Sequence, residues 1–573
     1  MRKVTMIHLG IWALILILAA GCTSIASRMD QPLADQRNLI DEVRYSQDAI
    51  NDNTVPFEDL FYAGKHIFSN RFTTEDHYGE GEMGRRRSNY AMEDRENYPF
   101  LRFNGLDSQS CLECHLAIGF APQKNFSDDS SKIRTAKQLG FTAGGAGFAS
   151  NAFGLGNFAC KPDNAECNPN HPTRGVIRNP PHAFGAGYTQ TLAEEMTWDL
   201  QEKLAEAKDN PGESVELITK GVSFGSIVAD EAGTVEMSQV KGVSNDLVVR
   251  PFQWRGVASN LRNFIRDAMN FHFSVQPREF LAINPDENDM DGDSEEATNE
   301  ILEGDISAVA TFLAFLRPPT ESSKGLDAQR VERGREVFME ADCASCHTPS
   351  LTIDSPYATI QDPRTDEAMV EKVGKALPHA AVDTRIKKFR KKTERFGLTT
   401  PYSVSPSLEK YLIKKKMKSL KVEDEKPPAE MIAKEIVLNL KGYSRNLNRD
   451  DGPPETLPRL PHTYGKIDVP LYSDLKRHRM GDNLAEPFPQ TTDGGQDIPG
   501  TEFLTRPLWG VADTAPWMHD GRALTLTDAI LMHEGPNSDA DGSIEKFKDL
   551  SDDDKLALRT FLSSLRLPTV HYH

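Results

Sequence analysis

Apolar positions along the chain fall mostly into short helical stripes, separated by polar stretches rich in Gly and Pro. Phe57, Leu60, Phe61, Ala63, Gly64 and Phe68 recur at the three- and four-residue spacing that places side chains on one helix face. Residues 192–207, 260–273, 306–316, 527–533 and 552–565 read the same way. Thr525 or Thr527 offers the cap for 527–533, and Pro318-Pro319 stops 306–316. A further helix through Gly334-Arg335-Glu336-Val337-Phe338 runs toward Cys343. Leu408, Leu412, Ile413, Met417 and Leu420 suggest one more. Only residues 215–249 alternate apolar and polar positions, predicting a small β excursion. The pattern predicts a mainly α chain with loop-rich insertions and little β.

With 573 residues there is length for two or three domains. Mean hydropathy is −0.50 and formal charge −19. The one long apolar run, residues 11–20, is too short to span a bilayer. Arg2 and Lys3 precede it and Ala19-Ala20-Gly21-Cys22 follows, which is the layout of a signal peptide. Cys22 after Ala-Ala-Gly resembles the lipobox of bacterial lipoproteins, with Leu18 one place upstream of the preferred position; a plain secretory signal is the alternative. The expected location is the periplasm or cell envelope, with a lipid on Cys22 anchoring the chain to the outer membrane.

Seven cysteines refine this. Four form Cys111-Leu112-Glu113-Cys114-His115 and Cys343-Ala344-Ser345-Cys346-His347. C-x-x-C-H suits covalent c-type haem: two thiols one turn apart reach the two vinyl groups, and the adjacent histidine gives the iron a nitrogen. A redox dithiol or half a zinc site is the alternative, and neither run has further Cys or His pairs nearby. Cys160 and Cys167 flank the turn-rich run Lys161-Pro162-Asp163-Asn164-Ala165-Glu166, so a local disulfide is expected in an oxidising compartment.

Charge is uneven. Residues 385–449 carry 18 Lys and Arg against 7 Asp and Glu, an excursion of +11 in an acidic chain. It reads as a solvated helical insertion, or as a docking face for an acidic partner or anionic lipid. No nucleic-acid partner is expected for a chain that works outside the cytoplasm. Residues 286–296 crowd carboxylates around Gly292, a candidate calcium loop or a solvated acidic one.

The halves repeat each other. Each has C-x-x-C-H, then an aromatic-Gly pair (Phe184-Gly185, Trp509-Gly510), then a turn into a helix (Trp254-Arg255-Gly256, His519-Asp520-Gly521). These motifs resemble the di-haem oxidoreductase family, within the di-haem cytochrome c peroxidase superfamily that includes the methylamine-utilisation enzyme and the rubber oxygenases. The resemblance covers most of 55–350 and 465–567. It implies two cytochrome c-like haem domains: residues 1–21 as lipoprotein-type signal, 22–50 as tether, 51–320 as the N-terminal haem c domain, and 325–573 as the C-terminal one with a basic insertion at 365–460.

It also implies roles. His115 and His347 are the proximal ligands, and His533 is the distal ligand of the second haem, with Met518 and Met532 as competitors. Trp254 matches the residue bridging the haems. Phe264 stands where relatives carry a Gln, and their Glu falls near Ser274, so the usual acid–base pair is missing. His272, Asp267 and His182 are the nearest polar substitutes. His272 is a proton carrier, an iron ligand or a core histidine. An apolar distal pocket around Phe264, Phe271 and Phe273 would suit oxygen activation. Three activities are therefore expected: a peroxidase-like enzyme taking hydrogen peroxide or oxygen with electrons from a redox partner protein, an oxygen-activating oxygenase, or a non-catalytic electron carrier.

Overall fold

A computed structural model describes residues 44–69, 110–115, 179–273, 301–360, 443–449, 452–486 (464 aside) and 489–568, with Phe72, Asp76, Val275 and Pro277. The signal peptide, Cys22, Cys160, Cys167, the acidic loop at 286–296 and the basic insertion from 365 to 442 lie outside the described residues. The described residues belong to one compact unit, Arg44–His573.

Nine α-helices occur among them: α1 (Gln47–Asn51), α2 (Phe57–Ser69), α3 (Ala186–Asp209), α4 (Leu261–Ala268), α5 (Glu303–Phe315), α6 (Ala328–Glu340), α7 (Leu526–Leu531), α8 (Asp541–Asp549) and α9 (Asp552–Leu562). The expectation of a mainly α fold with little β is wrong. Among the described residues, fourteen strands form six small sheets beside the helices. Val222–Ala229 pairs with Ser214–Thr219 and Val235–Glu236, within the stretch read as β. The remaining sheets escaped because their strands have two to four residues, too short for an alternating pattern, and some partners are distant. Leu351–Ile353 pairs with Lys466–Val469, and Tyr357–Ile360 with Tyr443–Asn446.

Two helix pairs share one packing scheme. In α2, Gly64 lies against α5: an added Cβ would stand 1.9 Å from the Ala308 carbonyl oxygen and 2.9 Å from Phe312 Cβ. In α6, Gly334 meets α9 the same way, 2.0 Å from the Ala557 oxygen and 2.7 Å from Phe561 Cβ. Four residues after each glycine, Phe68 packs on Phe312 (ring centres 5.3 Å apart) and Phe338 on Phe561 (5.5 Å). A residue without a side chain lets the backbones close, and the aromatic one turn on seals the seam.

The turns into α4 and α7 are also copies. Phe252 bridges Ala258, and Trp517 bridges Ala523. Gln253 and Met518 both take positive φ (66° and 72°), as do Gly256 and Gly521 three residues later. Asn260 and Thr525 then cap the two helices with side-chain oxygens. A constant offset of 265 residues relates every one of these pairs.

The long helix α3 ties the segments together. Its buried Glu195 pairs with Lys220 (Oε2–Nζ 2.5 Å) and accepts the backbone N–H groups of Asp354 and Ser355. A buried carboxylate needs such partners, and these fix α3 against the strands after Cys346.

Candidate functional site

Each C-x-x-C-H run begins in a single 3₁₀ turn, Cys111–Glu113 and Cys343–Ser345. The backbone N–H of His115 donates to the Cys111 carbonyl at 2.8 Å, and His347 repeats this to Cys343 at 2.9 Å. The turn brings both thiols and the imidazole of each run to one cavity.

The first cavity measures about 560 Å³ and holds Cys111, Cys114 and His115 on its wall. That volume is in the range of cofactor pockets, roughly 300–1,000 Å³. His115 Nδ1 lies 2.8 Å from the Pro181 carbonyl, leaving Nε2 for a ligand. Burial lowers its pKa to about 4, so the ring is neutral, the form that binds a metal. Phe68 flanks His115, and Phe264 from α4 meets its ring edge-on with centres 6.4 Å apart.

The second cavity, about 250 Å³, holds Cys343, Cys346, His347 and His533. His347 Nδ1 is 3.1 Å from the Tyr472 carbonyl, and His533 Nδ1 is 2.7 Å from the Ala529 carbonyl. Both Nε2 atoms stay available. Burial lowers the pKa of His347 to about 4, and burial also lowers that of His533. Their ring centres are 6.4 Å apart. A metal between two imidazole nitrogens at about 2 Å each would set ring centres about 6 Å apart. Both Met518 and Met532 pack against the neighbouring apolar cluster, and Met518 also lines this cavity. The residues present fit a metal-bearing group with an imidazole on each face.

Sequence reasoning singled out Trp254 between the cavities but missed its partners Asn179 and Arg506. Trp254 lines both cavities and donates its indole N–H to the Asn179 carbonyl at 2.7 Å. Asn179 clamps the opposite turn through its side-chain amide, to Pro516 O at 2.7 Å and Met518 O at 3.0 Å. The Arg506 guanidinium lies 5.4 Å from the Trp254 ring centre, a cation–π contact, and burial lowers its pKa to about 10. His519, at the position equivalent to Trp254, has its ring centre 6.4 Å from the indole.

On the α4 side, Asp267, Ala268, Phe264 and Phe273 line the first cavity together with His272 from the π-helical turn Met269–Phe273. His182 touches both cavities. Ser274 and the side chain of Phe271 lie outside the described residues. By the 265-residue offset, Ala268 stands where the second half has His533. No group of three or more His, Cys, Asp or Glu side chains able to hold a bare metal ion occurs among the described residues.

A search of curated proteins finds no match to the chain. Residues 463–565, which carry Arg506, Trp509, the His519 turn and His533 but neither C-x-x-C-H run, match the family model described as "Di-haem oxidoreductase, putative peroxidase", and that family implies haem as cofactor.

Proposed function

We propose that this protein is a secreted di-haem c-type cytochrome acting as a peroxidase-like redox enzyme, with the first cavity as reaction site and the second as electron relay. Haem, when bound, supplies iron that exchanges single electrons and, where a coordination position is open, reduces hydrogen peroxide or oxygen. Cys111 and Cys114 would hold one haem by thioether bonds, and Cys343 and Cys346 the other. His115 and His347 are the proximal ligands, each steadied by a backbone carbonyl. His533 closes the second site. The observation that carries the reading is Ala268: its methyl cannot bind a metal, so the copy of the His533 position supplies no second ligand to the first site.

Trp254 packs between the two cavities and gives electrons a path through one indole. His272, on the first cavity's wall, can relay a proton between that cavity and solvent. Electrons come from a redox partner protein. In the same reading a lipid on Cys22 anchors the chain in the periplasm, Cys160 and Cys167 form a disulfide, and the acidic loop is a calcium candidate.

The competing function, an electron carrier, has His272 as sixth ligand of the first haem. Absorption and resonance spectra of the oxidised and half-reduced protein separate the two. A high-spin fraction that reacts with peroxide is the expected result. Two low-spin haems inert to peroxide and carbon monoxide would leave only the carrier.

A further inference from the structure

Asp267 is a carboxylate on the wall of the first cavity, three residues beyond Phe264 on α4. That spacing places the two side chains on one helix face, and Phe264 is the residue whose ring meets His115. Arg266 holds only one oxygen of Asp267: Nε and Nη2 reach Oδ1 at 2.9 and 2.7 Å. Oδ2 makes no hydrogen bond among the described residues, and the side chain is 39% open. The pair is thus oriented, with one oxygen tethered and the other available. Burial and the nearby Asp493 raise the Asp267 pKa, against the pull of Arg266.

Asp493 shows the contrast. It lines the same cavity, but Arg250 Nε takes Oδ1 at 2.5 Å, and Ser259 N and Asn263 Nδ2 reach Oδ2 at 2.7 and 2.9 Å. Burial would raise its pKa, yet Arg250 and these donors bring it below the ordinary carboxylate value. One wall therefore carries a fixed anion and a carboxyl able to take and give a proton. Two acids pushed apart in this way mark acid–base assignments.

We propose that Asp267 is the acid–base residue of the first cavity, moving a proton between the two oxygens of a bound peroxide. The proposal rests on the peroxide-reducing reading above. One hydrogen peroxide takes two electrons and two protons and leaves as two waters. The electrons come one at a time from an external reduced redox protein. Asp267 takes the proton from the inner oxygen and gives it to the outer one, so that the O–O bond breaks with water as the leaving group.

The test uses the haem-loaded full chain with Asp267→Asn and Asp267→Glu. It follows the rate of reaction with peroxide and, separately, the rate of cyanide binding, since hydrogen cyanide must lose a proton to bind. Asp267→Asn should slow both by about a hundredfold or more, the usual share of a general acid–base group. It should also remove the carboxyl limb from the pH profile of cyanide binding, and Asp267→Glu should restore part of both. The charged and titratable groups facing that limb are Arg266, Asp493 with Arg250, His272, His115 and Arg506, and they stay in place in both variants. A second-site low-spin spectrum equal to wild type checks that the variants fold. Wild-type rates for both ligands in Asp267→Asn, in a protein that does react with peroxide, overturn the assignment of Asp267 alone. A wild-type protein inert to peroxide overturns the underlying reading instead. Should the Asn variant not fold, a Glu variant with an unshifted cyanide profile refutes the assignment.

Discussion

Gly334→Ala should destabilise the second half although it replaces the poorer helix former. The added methyl carbon would stand 2.0 Å from the Ala557 carbonyl oxygen and 2.5 Å from its carbon, where ordinary contacts begin at 3.4 Å. These are backbone atoms and cannot rotate away, so α6 and α9 must part by about 1 Å or more. Overpacking of this kind costs about 1–3 kcal/mol, and an immovable partner favours the upper end. Removing a mid-helix glycine returns about 1 kcal/mol. The net loss is about 1–2 kcal/mol, and each kcal/mol lowers Tm by at most about 2 °C, since the shift shrinks as the unfolding unit grows beyond about 250 residues. Because α6 leads within three residues to Cys343, the parting helices should also shift the visible spectrum of the second haem. Gly542→Ala is the control: it sits in α8 with nothing within 4 Å of its added Cβ, so it should be neutral or stabilising. Thermal unfolding of the three haem-loaded proteins decides the matter. If Gly334→Ala melts with or above Gly542→Ala, the close helix contact is not real.

Three further outcomes are expected. His533→Ala should convert the second haem from low to high spin, because the imidazole that faces His347 is gone; an unchanged low-spin spectrum refutes the pairing. Ala268→His should do the reverse at the first haem, giving a second low-spin signature and at least a tenfold loss of peroxide reactivity; retained reactivity would mean that the two helices are not equivalent. Asp493→Asn should flatten the acid side of the stability curve. Its folded pKa is depressed, so its contribution is complete above the unfolded value of about 3.9 and fades as pH falls through the folded one; parallel acid-unfolding curves for the two proteins would argue against this.

Helices with an apolar stripe were readable from the chain, because burial on one face imposes a period. Phe57, Leu60, Phe61 and Phe68 are buried on α2 as that period requires. Boundaries moved where caps decide them: α3 begins at Ala186 because Gly185 adopts a left-handed φ of 76°, and α7 starts after Thr525 rather than Thr527. The C-x-x-C-H runs were readable because their spacing is itself the chemistry. Most of the strands were not, since three-residue ladders such as Arg477–Arg479 with Glu502–Leu504 owe their existence to tertiary neighbours. Nor was the role of Asn179, whose three contacts to Trp254, Pro516 and Met518 join segments more than 70 residues apart.

The repeat makes the difference between the two cavities interpretable. Where two halves share a glycine seam, a positive-φ turn and a capped helix, a substitution at one equivalent position is not lost among other changes. Asn260 and Thr525 begin their helices alike, and the chain reaches the cavity eight residues after each cap, at Ala268 in the last position of α4 and at His533 just past α7. Packing alone does not demand an imidazole at 533: its ring nitrogen spends a hydrogen bond on Ala529 O to hold the other nitrogen toward His347. Nor does it demand the carboxylate beside Ala268, which stands part-exposed on the cavity wall with its pKa raised. A carboxyl kept in one half and a tethered imidazole kept in the other fit the divergent duties proposed above for the two copies, one site closed for electron passage and the other left open beside a proton carrier.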